Sequence, residues 1–163
     1  MKADELEIVY RKYYQSLFIY AFSLTCNKED AEDLVANTFV KALLSFEEGN
    51  LKAWLYHVLK NEFYNLYKKR KKLIDEGKIE LDIIQDSSDI LKNYIAEEQK
   101  RWLYQKIYEL PMREKEIMLL SIQSDFSDEI ISQIMNLSID NIRTIRYRVK
   151  QKLIKLCEKE NKI

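Results

Sequence analysis

Glycine and proline are almost missing from this chain: two Gly and one Pro stand among 163 residues. An all-β architecture needs turn-formers at nearly every reversal, and no β-branched alternation is sustained over several strands. Apolar residues instead recur at helical spacing over long runs, so the expected class is all-α. Cysteine is scarce as well. Cys26 and Cys157 lie far apart in sequence and read as small hydrophobes, which argues against a disulfide scaffold and for a reducing compartment. His57 is the only histidine, so neither a metal constellation nor a cofactor is expected. No stretch approaches ~18 apolar residues, and MKADELEIVYRKYYQ carries charges where a signal peptide needs an apolar centre. The expectation is a soluble cytoplasmic protein with no membrane contact of its own and no small-molecule substrate. Finally, 27 basic residues balance 27 acidic ones. No global field draws the chain to a polyanion; any such contact must come from local patches.

What is abundant is aromatic and charged residues on helical patterns. In LKAWLYHVLKNEFYNLYKKRKK, Leu51 to Lys72, the residues Leu51, Trp54, Leu55, Val58, Leu59 and Leu66 share one side. Tyr56, Lys60, Phe63, Tyr64 and Tyr67 fall on the other, beside the basic run Lys68 to Lys72. Rings that stack on bases next to cations that hold phosphates suit an unpaired nucleic-acid strand. A partner-facing helix with a solvated basic end fits the same pattern. Glu62 lies on the apolar side with no partner evident from the sequence, and His57 reads as a surface side chain.

Two helices are expected before this one. From Leu6 to about Thr25, Tyr10, Tyr13, Tyr14, Leu17, Tyr20, Ala21 and Leu24 describe an amphipathic helix. Asn27 reads as the N-cap of the next, Lys28 to about Ser45, which buries Ala31, Leu34, Val35, Thr38, Phe39 and Leu43. Gly49-Asn50 permits positive φ, so 46–50 is a short loop. After Lys72, Asp75, Glu76, Glu80, Asp82, Asp86 and Asp89 with Gly77 and Ser87-Ser88 reverse the sign of the charge, and helical periodicity is lost. Residues 73–93 read as an acidic flexible linker, or as an ordinary solvated loop with one helical turn.

A second helical region follows. Tyr94 to Leu110 turns Ile95, Trp102, Leu103, Ile107 and Leu110 inward, and Pro111 ends it. Glu114 to about Gln123 is a short buried helix around Ile117, Met118, Leu120 and Ile122. Ser127 then caps a short helix with Ile130, Ile131, Ile134 and Met135 on its apolar face. Asn136-Leu137-Ser138 has turn chemistry, and Ile142, Ile145, Val149, Leu153 and Leu156 form the stripe of a longer basic helix. This is the pattern of a helix-turn-helix, whose second helix enters the major groove. Asn141, Arg143, Thr144, Tyr147 and Arg148 can reach base edges or phosphates there, whereas Lys150 and Lys152 reach only backbone. A plain helical hairpin with a basic face is the alternative.

With both ends read, nearly the whole chain resembles a bacterial RNA polymerase sigma factor of the extracytoplasmic-function (ECF) group. DAEDLVANTFVKAL, Asp30 to Leu43, is similar to the segment of that family that binds the clamp helices of the polymerase largest subunit. WLYHVLKN, Trp54 to Asn61, resembles the start of its promoter-melting helix, and LPMREKEIMLL, Leu110 to Leu120, the opening of its C-terminal domain. The resemblance implies a transcription initiation factor of two small helical domains. Residues 1–72 would bind core polymerase and the minus-ten element, 73–93 would be the linker, and 94–163 would read the minus-thirty-five element. It further implies that Asp30, Glu32, Asp33, Asn37 and Thr38 bind core polymerase. Phe46, Asn50, Tyr56, Lys60, Asn61 and Tyr64 would hold the minus-ten strand, and Asn141, Arg143, Thr144, Tyr147 and Arg148 the minus-thirty-five duplex. The implied partners are core RNA polymerase through its largest and second-largest subunits, promoter DNA and an anti-sigma factor.

The chain departs from the family pattern at Ala36-Asn37, where Gln-Glu is usual, at Ile130-Ile131-Ser132 in place of Glu-Ile-Ala, and at Asn136 in place of the turn glycine. Its recognition helix reads Asn141-Ile142-Arg143-Thr144-Ile145-Arg146 instead of Thr-Val-Lys-Ser-Arg-Leu. Two other readings are a regulator that uses the helix-turn-helix without directing initiation, and a DNA-cleaving enzyme with Tyr64 or Tyr67 as nucleophile. The latter lacks an acid–base or metal constellation around those tyrosines.

Overall fold

The computed structural model describes residues 1–80, 84–123 and 126–160. Among them are eight α-helices and no strand: α1 (Ala3–Thr25), α2 (Lys28–Ser45), α3 (Leu51–Asp75), α4 (Ser87–Lys92), α5 (Glu98–Tyr108), α6 (Met112–Ile122), α7 (Asp128–Met135) and α8 (Ile139–Lys159). None of these helices is long and apolar enough to cross a membrane. They fall into two compact units, Met1–Asp86 and Ser87–Ile163.

In the first unit α1, α2 and α3 pack against one another pairwise. The C-terminal half of α1 is buried on every side, from Leu17 through Leu24, so it is a central helix where the spacing predicts an amphipathic one. It stops at Cys26, which takes up the left-handed conformation (φ 51°). Asn27 then caps α2 by accepting a hydrogen bond from the Asp30 N–H at 3.0 Å, as its position implies. Asn50 does the same for α3, accepting from the Ala53 N–H at 3.0 Å, after Gly49 has turned the chain at φ 108°.

α3 corrects the two-faced reading of its sequence. Tyr56 is fully buried against Tyr20, ring centroids 5.2 Å apart, and Phe63 is buried too. The cause is that α3 touches two neighbours, α1 and α2. A helix in that position hides an arc wider than one amphipathic stripe, and aromatics flanking the stripe are drawn into the core. Trp54, Val58 and Leu66, expected inside, are half-buried. Glu62 finds its partner in Lys41 of α2, an ion pair between the two helices.

The linker expectation also needs correction. Residues 73–75 continue α3, and Ser87–Lys92 form α4, whose Leu91 is fully buried in the second unit against α5. Gln85 is tied to the first unit: its N–H donates to the Cys26 carbonyl at 2.9 Å, and its Oε1 accepts from the Lys28 N–H at 2.8 Å. Acidic composition hid both anchors, which are made by one amide and one leucine. Asp82 lies outside the described residues.

In the second unit α5 is shorter than Tyr94 to Leu110. Ile95 is buried from the preceding turn, Tyr104 joins Ile107 in the core, and Trp102, Leu103 and Leu110 are half-buried. Pro111 serves as the N-cap residue of α6. α6 is buried from Lys115 through Leu120 while Ile122 is exposed. The turn that follows α7 obeys the local chemistry. Ser127 accepts from the Ile130 N–H, Asn136 adopts the left-handed conformation (φ 53°), and Ser138 accepts from the Asn141 N–H at 3.1 Å to start α8. Ile142, Ile145, Val149 and Leu153 are buried, as their spacing predicts, and Leu156 is half-buried.

Candidate polymerase and nucleic-acid interfaces

Three surfaces collect the candidate residues. On α2, Glu32, Asp33 and Asn37 are exposed, whereas Asp30 and Thr38 are not available. Thr38 is fully buried and donates its hydroxyl to the Leu34 carbonyl at 2.7 Å. Asp30 accepts two hydrogen bonds from Arg70 of α3, one of them at 2.8 Å. The family resemblance implies that both face polymerase, although the spacing of Thr38 places it in the core; Arg70 engages Asp30, and the Leu34 carbonyl engages Thr38. The sequence reading missed Val40 and Leu44, which are exposed and continue the line of Asp33 and Asn37 at helical spacing. Apolar side chains on the solvent side of an amphipathic helix were the available signal, since such a patch marks a partner site.

On α3 the exposed stripe runs His57, Asn61, Tyr64, Lys68 and Lys72. Lys60 is half-buried and its ammonium sits 5.7 Å from the Tyr64 ring centroid, a cation–π pair that holds the ring face. Tyr67 is exposed next to it. Tyr56 is withdrawn from this surface by burial. At the start of the helix the Phe46 ring meets Trp54 edge-on at 5.5 Å, and the Asn50 side chain is exposed yet committed to its cap. Phe46 and Asn50 thus form one local group, and Lys60, Asn61 and Tyr64 another one farther along the helix. The basic run contributes Lys68, Lys69, Lys71 and Lys72 to solvent, while Arg70 turns in to Asp30.

On α8, Asn141, Arg143, Thr144, Tyr147 and Arg148 all stand on the exposed arc. Arg143 occupies the flank beside α7. There Asp128 accepts from the Arg143 Nε at 2.8 Å through one carboxylate oxygen and pairs with Arg146 at 2.8 Å through the other. Arg146 also reaches the Ser121 hydroxyl of α6 at 3.4 Å. The sequence reading gave Asp128 only a place in the first turn of α7; its double engagement is tertiary and carries no local pattern.

The electrostatics of that clasp are directional. Hydrogen bonds from Arg143 and then Arg146 hold the Asp128 carboxyl below its usual range, and Asp128 in turn raises the Arg143 guanidinium. A depressed carboxylate stabilises the fold above its unfolded pKa, here 3.8, and loses that contribution as pH falls through the folded value. Asp128→Asn is therefore expected to lower the denaturation midpoint of the second unit at neutral pH. The gap to the unsubstituted protein should close as pH falls below 3.8 and the carboxylate becomes protonated. Urea unfolding at several pH values checks this; a gap that persists unchanged into acid would contradict it.

The chain is similar to known proteins along most of its length. Residues 9–73, which span most of α1, all of α2 and most of α3, match the family model of sigma-70 region 2. The chain is 30% identical over 158 residues to the RNA polymerase sigma factor YlaC of Bacillus subtilis (strain 168), covering 93% of this chain and 91% of that protein. It is 31% identical over 142 residues to the ECF RNA polymerase sigma factor EcfG of Rhodopseudomonas palustris (strain TIE-1), covering 85% and 77%. Among solved structures, the sigma factor RpoE of Bartonella quintana, crystallised with the anti-sigma factor NepR, superposes with a TM-score of 0.74. It is 27% identical, covering 96% of this chain and 98% of that one. An all-helical chain that keeps this similarity from end to end belongs to the RNA polymerase sigma factors of the ECF group, the transcription initiation factors that direct core polymerase to promoters.

Proposed function

We propose a division of that task between the two units. The first holds core polymerase through the exposed stripe Asp33, Asn37, Val40 and Leu44 of α2, with Glu32 beside it. It captures the minus-ten strand through Phe46 and Asn50 at the head of α3 and Lys60, Asn61 and Tyr64 along it. The second reads the minus-thirty-five duplex with Asn141, Arg143, Thr144, Tyr147 and Arg148 of α8. What carries this reading is the sorting of exposed side chains. Acidic and apolar ones gather on α2, aromatic and cationic ones on α3, and hydrogen-bonding and cationic ones on α8. Each set suits a different surface: a protein, an unpaired strand and a duplex.

Energetics support the division. Extruding a base costs a few kcal/mol, and stacking returns about 1–3 kcal/mol per base, so a few captured bases favour the melted strand. Zero net charge keeps the free factor from scattering over DNA, while polymerase tethers both units and raises their effective concentration at spaced elements. The chain works as a non-catalytic factor in the cytoplasm. The crystallised RpoE was bound to an anti-sigma factor, and control of this chain by such a partner is part of the proposal.

The test is to add the protein to core polymerase and score start-site-specific transcription from a genomic library. Polymerase-dependent products with defined starts are expected; intact DNA binding without them would favour a regulator that does not direct initiation. Within that assay, Arg148→Ala should weaken binding to the upstream element by about 1–3 kcal/mol, roughly 5- to 150-fold, and leave core binding unchanged. Equal losses in both measurements would contradict the division.

A further inference from the structure

Among the described residues, Arg143 is the candidate DNA contact on α8 whose side chain the fold itself grips. Asp128 sits at the first position of α7 and spends both carboxylate oxygens on α8, one on Arg143 and one on Arg146. The two arginines differ in what remains to them. Arg146 has a side chain only 18% exposed and continues to Ser121 on α6, so it ties α6, α7 and α8 together. Arg143 is 60% exposed and donates to Asp128 through its Nε. The guanidinium is rigid and planar, so holding its Nε fixes the plane in which the terminal nitrogens lie.

We propose that Asp128 is a positioning residue for promoter recognition: it orients the Arg143 guanidinium for readout of one base pair and sets a carboxylate against the DNA backbone beside it. The inference rests on Arg143 facing the upstream element. A free arginine must give up several rotors when it settles on a guanine edge, and a tethered one has already given them up. The paired terminal nitrogens match the bidentate acceptors of that edge, so the tether favours a base contact over a phosphate contact. The same carboxylate lowers affinity for every duplex alike, since its charge opposes phosphates whatever the sequence. Only the tether increases discrimination; the charge weakens matched and unmatched duplexes together.

The measurement is a base-preference profile. Holoenzyme carrying the full-length chain is bound to duplexes with a randomised upstream element, and bound sequences are counted. Affinity for a duplex without a selected element is measured in parallel. Asp128→Asn should flatten the preference at a single base pair by about tenfold while leaving non-specific affinity equal or higher. Asp128→Glu, which keeps the charge, should restore part of the preference. Arg146→Gln separates structure from positioning: it removes the buried arm and leaves Asp128 on Arg143, so it should lower the melting temperature with the profile preserved. If Arg146→Gln flattens the profile as much as Asp128→Asn does, or if Asp128→Asn lowers all affinities uniformly, Asp128 is a structural clasp and the proposal fails. Arg143→Ala identifies which idea has failed. A flattened profile in Arg143→Ala with none in Asp128→Asn overturns the positioning role alone; an unchanged profile in Arg143→Ala overturns the contact and the positioning role together.

Discussion

Replacing Tyr56 by alanine is expected to remove about 3–5 kcal/mol from the stability of the first unit, the range for truncating a fully buried aromatic side chain. The ring has no exposed surface and packs on Tyr20 of the central helix. Its removal therefore opens a void between α1 and α3, which side chains of a close-packed core cannot fill by small shifts. A unit of this size holds on the order of 5–10 kcal/mol in all, so the variant sits near the limit of folding. The two tryptophans make the effect separable. Trp54 lies in the first unit and Trp102 in the second, and in a Trp102→Phe background fluorescence follows the first unit alone. The urea midpoint of that signal should fall sharply in Tyr56→Ala, and polymerase binding and strand capture should fall with it. Tyr64→Ala is the contrast. Its ring is exposed, so stability should stay within about 0.5 kcal/mol while strand capture weakens. A Tyr56→Ala protein of unchanged midpoint that lost only strand capture would return Tyr56 to the minus-ten surface.

The contrast between those two tyrosines shows where sequence reasoning reaches its range. Caps and turns were legible because their chemistry is local. Asn27, Ser127, Asn136 and Ser138 each act on a backbone group within a few residues, and each does in the fold what its position implies. The core stripe of α8 was legible as well, since α6 and α7 together bury only the face that its spacing marks. Tyr56 and Phe63 were not, because α1 and α2 bury an arc of α3 wider than its aliphatic stripe. Thr38 illustrates a different confusion. Its spacing placed it in the core and family resemblance placed it on the polymerase face; the hydroxyl satisfied by the Leu34 carbonyl decides for the core. Gln85, Leu91 and Asp128 carry no periodic signal at all. Each acts across a gap in sequence, and only the folded chain brings its partner near.

Asp30 and Arg70 provide the second large effect, and they decide which acids on α2 are free to meet polymerase. The pair joins the first turn of α2 to the last third of α3 across 40 positions of sequence, with side chains 14% and 35% exposed. Removing one partner of a fully buried pair costs about 3–5 kcal/mol because the other charge is left stranded. Here Arg70 can swing partly into water, so Asp30→Ala or Arg70→Ala should cost nearer 1–3 kcal/mol. The cost of Arg70→Ala is further softened by the helix dipole, whose positive end at the α2 N-terminus favours the Asp30 carboxylate. The double variant should be more stable than the sum of the single losses implies, by a coupling of about 0.5–3 kcal/mol. Polymerase binding by these variants should follow the fraction of folded protein and recover when the assay is run well below the melting temperature. Asp33→Arg must behave in the opposite way. Its side chain is exposed, so the melting temperature should hold while core binding drops at least about tenfold from like-charge or unmatched contact at the interface. If Asp30→Ala weakens core binding at full folding and Asp33→Arg does not, the polymerase face lies at the start of α2, and the Arg70 pair must open before the factor can dock.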